Sequence, residues 1–246
     1  MQGSFLLWLR IIWTAFVIVI ITVIIAPPMI LVSLFNKSGI CAYRMMHLWT
    51  YLLSRSMGLT FSISGADKIV PGTSYIITPN HQGYADVLAL VGMLPLRFRW
   101  VVKLELLKIP FFGWALSSTG AISLNRSDKR QAVKSLRDGM IRLPGGWSVL
   151  IYPEGTRTSD GNLQSFKKGA FMIAVQSGIP ILPVTSNGAF KILPRKTIAF
   201  RPGHITLTVA DPIATEGLTE MDVPELMEKT RTAISENLDP NYDPFS

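Results

Sequence analysis

The chain has 246 residues, enough for one sizeable domain plus an appendage and too few for two large ones. Its hydrophobic fraction of 48% and mean hydropathy of +0.34 are high for a water-soluble protein, and its one cysteine, Cys41, excludes an internal disulfide while permitting a reducing compartment. The net charge of +8 conceals a split: residues 1–210 carry 22 Lys and Arg against 7 Asp and Glu, whereas residues 211–246 carry 2 against 9. A basic body beside an apolar segment suggests an anionic lipid surface or a phosphorylated substrate. Nucleic acid is the runner-up and ranks below these, because the chain shows no zinc-finger spacing, no aromatic RNA-binding signature and no basic arm.

From Ile11 to Phe35 there is no charged residue, and only Thr14, Thr22, Ser33 and the pair Pro27-Pro28 interrupt the apolar run. This predicts a membrane segment rather than a cleaved leader, for which the run is too long. A helix from Phe5 to Ala26, with Arg10 snorkelling, would extend about 33 Å, against a hydrocarbon core of about 30 Å. The two prolines are expected to break it there, so a spanning helix and one that turns back within a leaflet both fit. The next stretch, Ile40 to Leu59, is rich in Met, Trp and Tyr. It reads either as an interfacial helix or as one packed on the body. Lys37, Arg44 and Arg55 follow the apolar run, and their excess predicts a body on the cytoplasmic side.

Beyond Leu59 short β-branched runs alternate with helical ones, which predicts an α/β fold with a mixed, largely parallel sheet covered by helices. Residues 1–58 are then a membrane-anchoring helical segment and residues 59–246 the α/β domain. Candidate strands are Thr60 to Ser64, Ser74 to Thr78, Arg99 to Val102, Ala121 to Leu124, Ser148 to Tyr152, Ile181 to Thr185 and His204 to Val209. Candidate helices are Val87 to Met93, a Pro-interrupted stretch near Leu104 to Ser117, Lys129 to Leu143, Phe166 to Ser177 and an acidic, solvated Asp222 to Leu238.

Asn80 to Asp86 follows the second candidate strand and sets an imidazole five positions before a carboxylate. Residues five apart do not share a helix face, so His81 is expected in the loop and Asp86 in the first turn of the helix after it. An imidazole of pKa about 6.5 takes a proton near neutral pH, and a carboxylate on its far nitrogen fixes the tautomer. That is two thirds of a triad, with no Gly-x-Ser-x-Gly elbow to supply a nucleophile. A substrate hydroxyl could fill the gap, while the pair alone is equally compatible with polar groups satisfied at a strand end.

Strand Ser148 to Tyr152 runs into Pro153-Glu154-Gly155-Thr156-Arg157, a charged turn at the edge where open α/β sheets place their sites. Gly155 allows close backbone approach, Arg157 offers a planar fork suited to phosphate, and Glu154 would orient that fork or hold the loop. Lys103 and Arg126, each ending a predicted strand, can converge on one anion, and Lys167 and Lys168, expected just inside a helix start, add positive potential. With three histidines and no ligand-spaced cluster, no metal is implied.

These blocks resemble the glycerolipid acyltransferase family, most closely its 1-acyl-sn-glycerol-3-phosphate (lysophosphatidic acid) acyltransferases. The His-x4-Asp block lies at Asn80 to Asp86. The second block is read at Lys103, Glu105, Leu106, Ile109, Pro110, Gly113, Gly120, Ile122 and Arg126. The third is Pro153 to Arg157 and the fourth Leu182-Pro183-Val184, so the resemblance covers roughly residues 75 to 185. Gly83 stands where Ser is common, Tyr152 where Phe is usual and Thr158 where Ser is common.

The resemblance implies transfer of a fatty acyl group from a thioester, acyl-CoA or acyl-carrier protein, to the sn-2 hydroxyl of lysophosphatidic acid at a membrane surface, giving phosphatidic acid. No cofactor beyond that co-substrate is implied. His81 is then the general base and Asp86 its partner, with no acyl-enzyme. Lys103, Arg126, Glu154, Gly155, Thr156 and Arg157 form the phosphate-binding set. Alternatives are another lysophospholipid or lyso-ornithine lipid as acceptor, a hydrolase, or a non-catalytic membrane-binding module that has no need of His81 with Asp86.

Overall fold

A computed structural model describes residues 2–36, 38–124, 129–193 and 200–245. Helices α1 (Gln2–Phe35) and α2 (Ile40–Ser56) precede a sheet of seven strands: β1 (Leu59–Ser64), β2 (Ile76–Pro79), β3 (Arg97–Lys103), β4 (Ile122–Leu124), β5 (Trp147–Leu150), β6 (Ile181–Asn187) and β7 (Gly203–Val209). Their spatial order is β1-β7-β6-β2-β5-β3-β4. Every pairing is parallel except β6 with β7. The expected mixed, largely parallel sheet is therefore present, with each candidate strand in place to within two or three residues.

Helices α3 (Ala85–Met93), α4 (Phe112–Ser118), α5 (Lys129–Ile141), α6 (Gly169–Ser177), the short α7 (Ala189–Ile192) and α8 (Val223–Ser235) complete the fold. One face of the sheet packs on α2 and α3, through Met46, Leu53, Leu88, Leu90, Phe98 and Leu207. The other packs on α5, α6 and α8, through Ile76, Val149, Phe171, Ile181 and Leu226. Strands covered on both sides are buried at successive positions rather than alternating, as in Ile76–Pro79 and Trp147–Leu150.

The sheet also fixes where a site can form. From β2 the chain passes through α3 to β3 on one side, and from β5 through α6 to β6 on the other. Adjacent strands whose connections leave in opposite directions open a crevice at their carboxyl ends. His81 and Glu154 leave the sheet at that crevice.

Two expectations are corrected. The helix does not break at the prolines: α1 is one helix of 34 residues with Pro27 and Pro28 inside it. The missing N–H groups are offset by burial, since Thr14, Val17, Thr22, Ile25, Ala26 and Met29 form a helical stripe against the body. Along this stripe α1 lies antiparallel to α2, with Trp13 Nε1 donating to Ser56 O (3.2 Å) and Trp49 Nε1 to Thr22 Oγ1 (3.0 Å). Thr14 and Thr22, which interrupt the apolar run, therefore face protein. Of the two readings of Ile40 to Leu59, the packed one holds: Ala42, Tyr43, Met46 and Leu53 are buried, and the core continues across residue 58.

The second correction concerns Lys167 and Lys168. Helix α6 starts at Gly169, with Lys168 at its N-cap and Lys167 still in the preceding loop, its N–H donating to Pro153 O (2.8 Å).

Candidate active site

The loop after β2 is clamped before any chemistry is considered. Asn80 binds the backbone of Ser186 in β6 twice, Nδ2 donating to its O (3.0 Å) and Oδ1 accepting from its N (2.7 Å). The main chain of His81 is held by the turn after β5. Its N–H donates to Glu154 Oε1 (2.6 Å) and its carbonyl accepts from Thr158 N (2.9 Å). The His and Glu blocks, 73 residues apart in sequence, are thus joined by main-chain bonds.

The His81 side chain, 16% exposed, places Nδ1 at 3.1 Å from Oδ2 of the fully buried Asp86. Asp86 sits in the first turn of α3, as the spacing predicts, where the helix N-terminus favours a carboxylate. It also accepts from Gly83 N (3.0 Å) and from the Tyr152 hydroxyl (2.9 Å). Three hydrogen-bonding groups thus converge on the buried carboxylate. A proton on Nδ1 facing it leaves Nε2 with a lone pair for a substrate.

Gly83 is required by closeness. A Cβ there would lie 2.9 Å from Ala189 O and 3.2 Å from Leu193 O, which accounts for its standing where Ser is common. Gly155 is required by conformation, with φ of 71° in the turn that Gly155 N closes onto Tyr152 O (3.0 Å).

Glu154 is buried, and burial pushes its carboxyl up to about 7. Its second oxygen accepts from Gln164 N (2.9 Å). Both oxygens are thus taken by backbone donors, which moves Glu154 from the expected phosphate set to holding the loops; of its two sequence readings, the second is the one seen. Arg157 does reach the His block, its guanidinium carbon 3.8 Å from the centroid of the half-exposed Tyr84 ring. Thr156 is exposed beside it. Lys103 ends β3 on the same carboxyl edge, half exposed and paired with Glu105 (3.2 Å). Arg126 lies outside the described residues.

Sequence reasoning missed Tyr152, Tyr84 and Thr158. Tyr152 was accessible by parity, since it is two residues beyond the buried Leu150 and packs in the same core as α3. Thr158 closes the turn through its hydroxyl, donating to Asp160 Oδ1 (2.8 Å) and accepting from Gly161 N (3.1 Å).

A family model described as Acyltransferase matches residues 60–187, slightly more than half the chain. The chain is 30% identical over 212 residues to a 1-acyl-sn-glycerol-3-phosphate acyltransferase of Saccharomyces cerevisiae, covering 85% of this chain and 70% of the yeast protein. It is 36% identical over 168 residues to the chloroplastic enzyme of that name, LPAT1, from Arabidopsis thaliana, covering 68% of this chain and 46% of the relative. For the human beta form the values are 34% over 178 residues, 72% and 64%. The chain thus spans between about half and seven tenths of these relatives. A solved structure of PlsC from Thermotoga maritima, titled a 1-acyl-sn-glycerophosphate acyltransferase, superposes with a TM-score of 0.80 at 23% identity, covering 96% of this chain and 95% of the other, a likeness of fold. On the family match and the yeast relative together, the chain belongs to the Acyltransferase family.

Proposed function

We propose that this protein transfers a fatty acyl group from a thioester to the sn-2 hydroxyl of 1-acyl-glycerol-3-phosphate, forming phosphatidic acid. The relatives named for that reaction support the substrate class. The observation that carries the chemistry is the His81–Asp86 contact in a site whose ring has no seryl or cysteinyl hydrogen-bond partner among the described residues. The substrate hydroxyl takes that place. His81 Nε2 removes its proton as the oxygen attacks the thioester carbonyl, and Asp86 stabilises the imidazolium. The tetrahedral adduct then expels the thiolate, which recovers the proton.

Such general-base help is worth about 10²–10⁴-fold, and most of the remaining acceleration comes from holding acceptor and donor together. Arg157 is the phosphate ligand this geometry favours, with Gly155 and Thr156 shaping the loop and Lys103 adding charge at the same edge. The donor is acyl-CoA or acyl-carrier protein; the basic body attracts either.

The outer face of α1 exposes Phe5, Trp8, Ile12, Phe16, Ile24 and Leu31, and lies in the membrane. Its inner stripe is packed on the body, and exposed Arg44 and Arg55 of the accompanying α2 oppose burial of the pair across a bilayer. The helix therefore lies along one leaflet, with the body on the cytoplasmic side.

The test is an assay of full-length protein in mixed micelles with lysophosphatidic acid and each donor in turn. Phosphatidic acid should form with at least one donor, and His81→Ala should lose at least a hundredfold in kcat. Acylation of a different lysophospholipid only, or thioester hydrolysis without acceptor, would reassign the substrate. Full activity in His81→Ala would end the mechanism.

A further inference from the structure

One side chain outside the four sequence blocks' assigned roles touches both members of the dyad. The Tyr152 hydroxyl donates to Asp86 Oδ1 (2.9 Å), and its ring lies against the His81 ring with centroids 3.7 Å apart and planes 16° from parallel. Trp100 stands behind it on β3, centroid 6.5 Å away and 23° from parallel, so the tyrosine is backed by core rather than solvent. We propose that Tyr152 is a positioning residue for the His81–Asp86 dyad: its hydroxyl sets the carboxylate and draws charge from it, while its ring sets the imidazole plane. The inference rests on the proposed reaction only for its kinetic readout.

The assignment follows from how Asp86 divides its oxygens. Oδ2 serves His81 Nδ1 and Gly83 N, whereas the Tyr152 hydroxyl is the partner on Oδ1. A carboxylate rotated about its Cβ–Cγ bond would turn Oδ2 away from the imidazole, and the phenol on Oδ1 opposes that rotation. Burial and then the Asp86 charge hold the phenol well above its ordinary pKa of 10, so it stays a donor throughout the working range.

Withdrawing a hydrogen bond from a buried carboxylate raises its affinity for a proton. In a coupled pair this raises the pKa of the dyad whichever partner carries that proton. Other charges near the ring are Glu154, on the His81 N–H, and Arg157 over Tyr84, with Lys167 beside Gly155. None of these contacts involves the Tyr152 hydroxyl, so removing it leaves them in place.

The experiment compares wild type with Tyr152→Phe, which keeps the stacked ring, and with 2,3-difluorotyrosine at 152, a stronger donor. The His81 titration is followed by NMR of ring-labelled histidine in full-length protein in detergent; with three histidines in the chain, His81→Asn identifies the signal. Tyr152→Phe should raise the His81 midpoint by about half a unit, the worth of a hydrogen bond of roughly 0.7 kcal/mol at 1.36 kcal/mol per unit. Difluorotyrosine should lower it. The acid limb of kcat/KM should move by the same amount in the same directions, with KM for the acceptor unchanged.

Midpoints that superpose in all three proteins, or that move together in both variants, overturn the inference and leave Tyr152 as packing. A titration that moves as expected in a protein without acyl-transfer activity supports the inference and removes the proposed reaction instead. Should Tyr152→Phe unfold, the fluorinated protein decides alone.

Discussion

At the scale of single residues, the site separates a charge that lies against the His block from one that holds geometry. Glu154 and Arg157 are three apart in one turn, yet the first is buried on backbone donors and the second lies over an exposed aromatic face. A guanidinium lying over the ring of the His block carries a charge beside that block, whereas a carboxylate with both oxygens on backbone N–H groups is committed to holding the loops. Arg157→Ala should therefore raise KM for lysophosphatidic acid roughly tenfold or more, the worth of a charge-assisted hydrogen bond, and leave KM for the thioester nearly unchanged. Equal effects on both substrates, measured by varying each at saturating levels of the other, would return Arg157 to a structural role. The dyad was legible because a spacing of five across a strand–helix junction can put imidazole and carboxylate together only if the first precedes the helix. The hydroxyl of Tyr152 was not, since a residue just past a strand end gives no sign of which neighbouring loop will arrive at its tip.

At the scale of elements, Glu154 is the pin between two loops, and its environment gives the pin a pH dependence. Burial raises its folded-state pKa to about 7 from the ordinary 4.5, so the fold holds this proton more tightly than the unfolded chain does. Its contribution is fully present below pH 4.5 and is lost as pH rises through about 7. Thermal unfolding followed from pH 5 to 8 should show wild type losing stability with rising pH relative to Glu154→Gln, whose amide does not titrate. The amide also leaves one backbone N–H without an acceptor, a cost of about 1–3 kcal/mol that should lower the variant's melting temperature at the acid end. Parallel curves would mean that the carboxyl titrates as an ordinary one.

The strands were legible because β-branched runs bounded by Gly and Pro have few other options. The errors fell where a tertiary contact overrode a local rule. The burial of Ala26 and Met29 carries α1 through its prolines, and Lys167, tied to Pro153 O, stays in the loop before α6.

At the scale of the molecule, the question that composition leaves open is how an apolar helix meets the bilayer. An apolar run of 25 or so residues satisfies the length rule for spanning whichever way it lies, because hydropathy records no direction. The packing of α1 against α2 and α4 is what supports the in-plane orientation proposed above. Spin labels at Phe16→Cys, Ile20→Cys, Ile24→Cys and Leu31→Cys in a Cys41→Ser background should report similar immersion depths in vesicles. A spanning helix would instead give depths changing by about 1.5 Å per residue, roughly 22 Å from the first label to the last.

The stripe from Thr14 to Met29 also bears on any attempt to make the protein water-soluble by trimming. Deleting α1 would not simply untether a finished catalytic body. It would strip the cover from Met46, Trp49 and Leu53, leave the Trp49 indole without Thr22, and bare the α4 surface beside them. Helix α1 doubles as one wall of the core, so a shortened chain trades one apolar surface for another, and loss of activity on deletion would speak of folding before it spoke of lipid.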